Sequence, residues 1–453
     1  MGTRLSDSEQ YAHLWGTVEL AEIFDERARL QRWLDILVAL AAAQAGLGIV
    51  PAAAAEQIAA HARAEDLDLD VVAAETRRTS HSMLGLIHAL QQILPESARE
   101  HVYVGATVQD ITDTWFALAI RDVGAVMWRD LHVIEDDLLD IAVRHRDTVM
   151  AGRTHGQPGS PITFGFKAAS WADEVRRHIE RLAEGRPRWL VGQLAGAVGV
   201  LGFFAPRGME LRAAFCAELG LADPGVSWLT SRDRIAEFGS LQAMVCGTLA
   251  RIGNEVYELQ RPEIAELQEP TTADTVGSIT MPHKRNPEGS EHLDTVARLA
   301  RANAAVLVEG MVVGHERDGR GWKAEWIALP EVSLMTGVAL QLAQRLLSGL
   351  VVDVDVMRSN LEARGDQPAS EWILAGLTQR LGKHAAQQLM HEVLAPGDRD
   401  VHGVIDALIA AGAATERDRE AWTAWEVGDA GRMVDEVVAR ARTARSAEPE
   451  VWA

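Results

Sequence analysis

Apolar residues recur at spacings of three and four along most of the chain. Leu131, Ile134, Leu138, Ile141 and Ala142 form one such stripe, with Glu135, Asp136, Asp137 and Asp140 between them. That is the pattern of an amphipathic helix, not of a strand. A second stripe runs from about Phe238 to Glu263 through Leu241, Met244, Val245, Leu249, Ile252 and Val256, and a third from about Glu291 to Glu309. These segments approach or exceed about 20 residues, where an average helix has about 11–12. Long helices with few prolines pack along their length as a bundle. Period-two alternation is scarce, so the expected class is all-α.

The pattern divides the chain into three expected domains. Residues 1–109 hold Ala-rich helical stretches separated by Pro51 and Pro95, and residues 110–353 hold the long helices. Residues 354–453 open on a loop-rich passage with Gly365 and Pro368 before shorter helices resume. Two glycine-bearing loops interrupt the helical text, at residues 152–158 and 277–287. Glycine lets backbone N–H groups approach a ligand and proline stiffens the neighbouring turn.

Composition narrows the function classes. Among 453 residues there are 44 Lys and Arg against 65 Asp and Glu, a net charge of −21. Such a chain repels a phosphate backbone, so nucleic-acid partners are not expected. Cys216 and Cys246 are the two cysteines, too few for a disulfide framework or a cysteine-built zinc site. No P-loop, GxGxxG unit or His/Cys cluster at ligand spacing is found, and no metal, nucleotide or flavin cofactor is expected. The first residues lack the apolar core of a secretory signal. The richest apolar stretches are interrupted by Asp, Glu, Arg or Gln, and membrane residence is not expected. A cytoplasmic setting fits.

The chemistry concentrates in the loops. Ser278 follows Gly277, with Lys284 and Asn286 six and eight residues on. Lys284 offers a point charge for a carboxylate or enolate, and Asn286 adds directional hydrogen bonds. A serine there acts as a nucleophile beside a base, or as a base itself when amide dipoles stabilise its alkoxide. The G-x-S-x-G elbow of acyl-transfer enzymes is absent.

The loop GSITMPHKRNP resembles the GSSxMPxKxNP loop of the aspartase/fumarase superfamily. GATVQDITDT (105–114), GRTHGQPGSPITFGFKAASW (152–171), the TSRDR run at 230–234 and QRPE at 260–263 are similar to superfamily text in the same order. The MPHKRNP spelling is similar to that of adenylosuccinate lyases and 3-carboxy-cis,cis-muconate cycloisomerases. The resemblance implies Ser278 as the general base that removes a proton next to a carboxylate. Lys284, Asn286 and the loop amides would stabilise the dianionic aci-carboxylate. His155 would be the general acid for the leaving group. Thr107, Gln109 and Thr154 would hold substrate oxygens, His81 would line the site, and Arg232 would bind substrate or brace a helix. The resemblance also implies a homotetramer with a central helical core. Its sites would combine the 107–114, 152–158 and 277–287 regions of different subunits around a small dicarboxylate.

Departures from the pattern bear on the substrate. Ile279 replaces the second serine of GSS, and Val108 stands where relatives carry a substrate-contacting serine. Trp322 and Trp326 stand where adenylosuccinate lyases place phosphate-binding residues after His315-Glu316-Arg317-Asp318, which disfavours a purine nucleotide. GWKAEWIALPE (321–331) is similar to cycloisomerase text, yet Thr154-His155, generally lacking in bacterial cycloisomerases, is kept. The expected activity is anti β-elimination from a substituted succinate, of the N-substituted aspartate or nitrosuccinate type, releasing fumarate. The alternatives are the muconate cycloisomerase and, less favoured, adenylosuccinate lyase. A non-catalytic structural member is disfavoured by the joint retention of Ser278, Lys284, Asn286 and His155.

Overall fold

Side-chain caps mark where helices begin. In the computed structural model, which describes residues 4–271, 277–363, 369–395, 400–422 and 426–452, Thr17 accepts from Leu20 N–H at the start of α1 (Val18–Phe24). Asp25 does the same for Arg27 and Ala28 at the start of α2 (Glu26–Gly46). Such acceptors satisfy amide donors that a first helical turn leaves open. Helices α3 (Ala52–His61), α4 (Leu69–Thr79), α5 (Leu84–Ile93) and α6 (Glu96–Arg99) follow. Their buried faces join the same continuous core as the long helices.

The middle of the chain is a bundle of long helices. α7 (Val108–Arg144) has 37 residues and starts from a capping box in which Asp110 accepts from the Thr107 N–H. At 1.5 Å per residue it is about 55 Å long. α8 (Phe164–Trp189) packs along it, and the short α9 (Gly208–Glu218) lies against α2. α10 (Asp233–Leu259), α11 (Glu288–Glu309) and α12 (Gly319–Ser348) pack against one another. By length and composition α12 could cross a membrane. Here Leu329, Val332, Met335, Ala339 and Leu340 are buried in the bundle core, which accounts for its apolar character.

The first glycine-bearing loop is in fact a β-hairpin. β1 (Val149–Thr154) pairs antiparallel with β2 (Gln157–Thr163), Thr154 opposite Gln157. The two turn residues, His155 and Gly156, both have positive φ, 54° and 74°. That is the backbone of a type I′ turn, which suits the twist of the paired strands. A second two-stranded pairing joins β3 (Leu267–Gln268) to β4 (Val351–Val352).

The passage expected to be loop-rich after residue 353 also differs. Asp353 caps α13 (Val354–Glu362) through the Val356 N–H. Gly365 and Pro368 lie outside the described residues. α14 (Ser370–Leu381), α15 (Lys383–Leu394), α16 (Val401–Ala410) and α17 (Glu416–Trp422) share a core of their own around Ile373, Leu377, Val404, Ile405 and Trp422. α18 (Ala430–Ala447) returns to the main core through Val434, Val438 and Ala441, packing on α8.

Candidate active site

The 277–287 segment folds back on itself. The Asn286 side-chain amide donates to the Gly277 carbonyl at 2.8 Å, and Met281 N–H donates to Ser278 Oγ at 3.0 Å. A Cβ at Gly277 would lie 2.2 Å from the Lys284 carbonyl oxygen, so only glycine allows the two limbs to close. Glu269 then fastens the outgoing limb. Its carboxylate accepts the Gly289 and Ser290 N–H groups at 3.1 and 2.8 Å, filling the N-terminus of α11. The hydroxyl of Ser278 therefore sits on a rigid turn, half-buried, while Ile279 beside it is 93% exposed.

Charge at this loop is left unmatched. Lys284 and Arg285 are exposed and make no ion pair among the described residues. Both line a cavity of about 290 Å³ together with Gln260, Asn286 and Arg345. They also line a neighbouring cavity of about 670 Å³ with Arg261 and His283. Concave surfaces with convergent cations in so acidic a chain suit a dicarboxylate.

Thr154 and His155 lie at the exposed hairpin tip. The hairpin is locked next to its tip: Arg153 makes two hydrogen bonds, 2.6 and 2.9 Å, to the fully buried carboxylate of Glu266, which leads into β3. The imidazole is held out from a rigid support, with the left-handed φ of His155 setting its direction.

The remaining expected residues are placed differently. His81 sits at the start of α5, where its Nδ1 accepts from Leu84 N–H at 3.1 Å. Thr107 accepts from Arg317 Nη2 at 2.7 Å. Gln109 is buried, donating to Asp113 and to the Leu229 carbonyl, so it faces the protein interior. Arg232 is a correction to the substrate-binding expectation. Its guanidinium is wholly buried, bidentate to Asp113 at 2.7 and 3.0 Å and to Glu325 at 2.9 and 2.5 Å. Those carboxylates and the Trp228 carbonyl engage its donors, so Arg232 braces α7 to α12. The neighbouring Arg234 donates to the Arg188 carbonyl, and Arg188 pairs with Glu237.

Two positions were not legible as site residues. Asp110 accepts N–H bonds from Thr107, Ala195 and Gly196, tying the start of α7 to the 195–204 segment. Burial pushes its carboxyl up to about 7, against the pull of those three donors. Arg317 belongs to the quoted His315–Asp318 run; it donates to Thr107 and makes no ion pair among the described residues.

Thr107 and the hairpin stand at opposite ends of α7. α7 separates Thr107 from the hairpin end by about 55 Å. α10, at 27 residues, separates Arg232 from Gln260 by about 40 Å. The two cavities beside Lys284 take no lining from the hairpin tip or from residues 105–114.

Comparison with known proteins places the chain. Residues 16–301 match the lyase family. The chain belongs to the aspartase/fumarase superfamily. It is 40% identical over 392 residues to N-acetyl-S-(2-succino)cysteine lyase of Dickeya dadantii (strain 3937), covering 86% of each protein. It is 39% identical over 373 residues to 3-carboxy-cis,cis-muconate cycloisomerase of Pseudomonas aeruginosa, covering 82% of this chain and 81% of that one. Its fold matches the 3-carboxy-cis,cis-muconate lactonizing enzyme of Pseudomonas putida with a TM-score of 0.88 at 33% identity, over 96% of this chain and 99% of that one. The chain is thus an enzyme with lyase activity, of a superfamily whose members act on small dicarboxylates and are typically oligomeric.

Proposed function

We propose that this lyase cleaves a 2-substituted succinate to fumarate by anti β-elimination, with a thiol as the preferred leaving group. The observation that carries the elimination is the closed 277–287 turn, with Ser278 on its rigid limb and Lys284 unpaired beside it. Ser278, as alkoxide, takes the proton from the carbon next to one carboxylate. The electron pair moves into that carboxylate to give the aci form, held by Lys284, Asn286 and loop amides. Collapse of the dianion forms the C=C bond and breaks the bond to the substituent. His155 gives the departing atom its proton. Thr154 orients the substrate beside it.

Support for a thiol over the amine or nitro group first expected comes from the Dickeya relative, whose name is that of an S-succino lyase. A thiolate leaves more easily than an amide ion, because a cysteine thiol has a pKa of about 8.5. The separation of the Thr107 and His155 regions along α7 favours sites assembled from several subunits of a homotetramer. Exposed apolar residues on the long helices, Met244, Leu299, Val306 and Val308, suit burial between copies.

The test is ultraviolet detection of fumarate from S-(2-succino)-N-acetylcysteine, from an N-succino analogue and from nitrosuccinate, with loss of 3-carboxymuconate run alongside. Fumarate formation fastest from the thioether is expected, and His155→Asn should slow the N-succino analogue more than the thioether. Turnover of the muconate alone would replace elimination by cycloisomerisation.

A further inference from the structure

Glu266 is wholly buried, and its carboxylate takes hydrogen bonds from two distant parts of the chain. Arg153, two residues before His155, grips it with both ends of the guanidinium, at 2.6 and 2.9 Å. Asn360 of α13 donates to the same carboxylate at 3.0 Å and to the Ile264 carbonyl at 2.7 Å. The backbone of Glu266 is pinned as well. Its N–H donates to the Leu259 carbonyl at the end of α10, at 2.9 Å, and its carbonyl accepts from the Asp353 N–H at 3.0 Å. This carboxylate is a fixed point of the structure.

The hairpin is shaped to reach it. Ala151 lies opposite Pro161, but Arg153 lies opposite Pro158, so the register slips between them. Such a bulge bends the strand and re-aims the side chains beside it. A Cβ at Gly152 would lie 2.7 Å from the Ser160 carbonyl oxygen, so glycine is needed where the strands crowd. Past the bulge, Arg153 turns to Glu266, and His155 stands two residues beyond an anchored guanidinium. In the other direction the path is short. Leu267 and Gln268 pair with β4, and the next residue, Glu269, holds the Gly289 and Ser290 N–H groups behind the 277–287 turn. The Glu269 N–H in turn donates to Gln260 Oε1 at 2.7 Å. Three residues of chain, about 11 Å at most, join the support of the hairpin to the support of the Ser278 loop.

We infer that Glu266 is a positioning residue shared by two active sites: through Arg153 it sets the general acid His155 of one, and through β3 and Glu269 it sets the Ser278 loop of another. This rests on the proposed elimination at sites that take hairpin and loop from different subunits. Within one chain both segments hang from a single buried carboxylate, so a displacement of either reaches the other. Being buried, Glu266 touches no substrate and acts through geometry alone. Misplacing a catalytic group by about 1 Å costs about a hundredfold in rate.

Glu266→Gln keeps the shape of the side chain and removes the charge that holds the Arg153 fork. In a refolded mixture of full-length proteins, Ser278→Ala chains can donate only His155 and His155→Asn chains only Ser278. Glu266→Gln is added to one chain or to the other, and fumarate release from the N-succino analogue is followed. The recovered kcat should drop about a hundredfold with either placement, KM moving little. Analogue deuterated at the carbon that loses the proton separates the two arms. In the Ser278-donating chain the variant slows proton removal, and in the His155-donating chain it slows departure of the amine. The isotope effect should therefore be larger with the first placement than with the second, a difference that mere loss of folded protein does not produce. Arg153→Lys in the His155-donating chain keeps the charge without the fork and should give a smaller loss of the second kind.

Amide hydrogen exchange reads the link without turnover. Glu266→Gln should speed exchange at least about tenfold in both 149–163 and 277–290, with α3 unchanged. Loss with one placement only, loss with neither, equal isotope effects, or faster exchange in one segment alone would overturn the inference. Failure of the two parent chains to complement would confine both segments to one site and overturn the two-site role. Should the native protein release no fumarate at all, the proposed reaction fails, and exchange still decides whether Glu266 holds both segments.

Discussion

Arg232 and Lys284 are both cations on sequence motifs of one bundle, about a helix length apart. Around Arg232 every charge is matched: the guanidinium, Asp113 and Glu325 are buried together and satisfy one another. Around Lys284 no ion pair forms among the described residues: the ammonium is exposed beside a cavity, with Arg285 alongside. A charge taken out of water must be paired to be tolerated. A charge held at a cavity without a partner keeps its field available for a ligand. The two regions show that residue type and motif membership do not separate scaffold from site; the pairing of each charge does.

The largest effect should come at the unmatched end. Ser278→Ala should lower kcat for fumarate release by about 10²–10⁴-fold, the usual worth of a positioned proton acceptor, with thermal stability unchanged. The matched end should respond in the opposite sense. Arg232→Ala strands two buried carboxylates and should lower unfolding free energy by about 3–5 kcal/mol, read by denaturant titration. Equal stability of the two variants would erase the distinction.

A third way to sharpen it uses pH. His178 is buried on α8 and accepts at Nδ1 from Arg181, so its Nε2–H donates to Thr248 at 2.8 Å, and Thr248 donates to Glu174 at 2.6 Å. This chain needs neutral imidazole, and burial with Arg181 nearby pulls its pKa down to about 4. Between that value and the unfolded value of about 6.5, only the unfolded chain takes up the proton. Stability should therefore fall as pH drops from about 6.5 to about 4, by up to about 3 kcal/mol from this group, and His178→Gln should flatten that slope. The smallest effect belongs to an exposed pair. Arg320→Ala, which removes the solvent-exposed contact with Asp318, should change stability by less than about 1 kcal/mol.

The helical class was legible because the stripes at 131–142, 238–263 and 291–309 keep their period over many turns. Their ends shifted: α10 begins at Asp233, and α11 begins at Glu288 behind the Glu269 cap. The hairpin at 149–163 was not legible as strands, since its short Gly- and Pro-bearing halves carry little alternation. Its His155-Gly156 pair was the local turn signal. α13 was hidden for a related reason: Asp353 and Asp355 read as loop residues, whereas Asp353 caps the helix. Of the site, the 277–287 turn was legible as a motif. The burial of Gln109 and Arg232 was not, because it depends on partners 119, 120 and 93 positions away in the chain.

We propose that the 277–287 loop of one subunit and the hairpin of another act on one substrate. Subunit complementation is the decisive test. Ser278→Ala and His155→Asn proteins, each nearly inactive alone on the N-succino analogue, are unfolded together, refolded as a mixture and assayed for fumarate release from that analogue. Sites that draw Ser278 and His155 from different chains will include some with both native residues, so the mixture should regain activity well above either parent. A mixture no more active than its parents would place both residues in one chain's site and contradict the account.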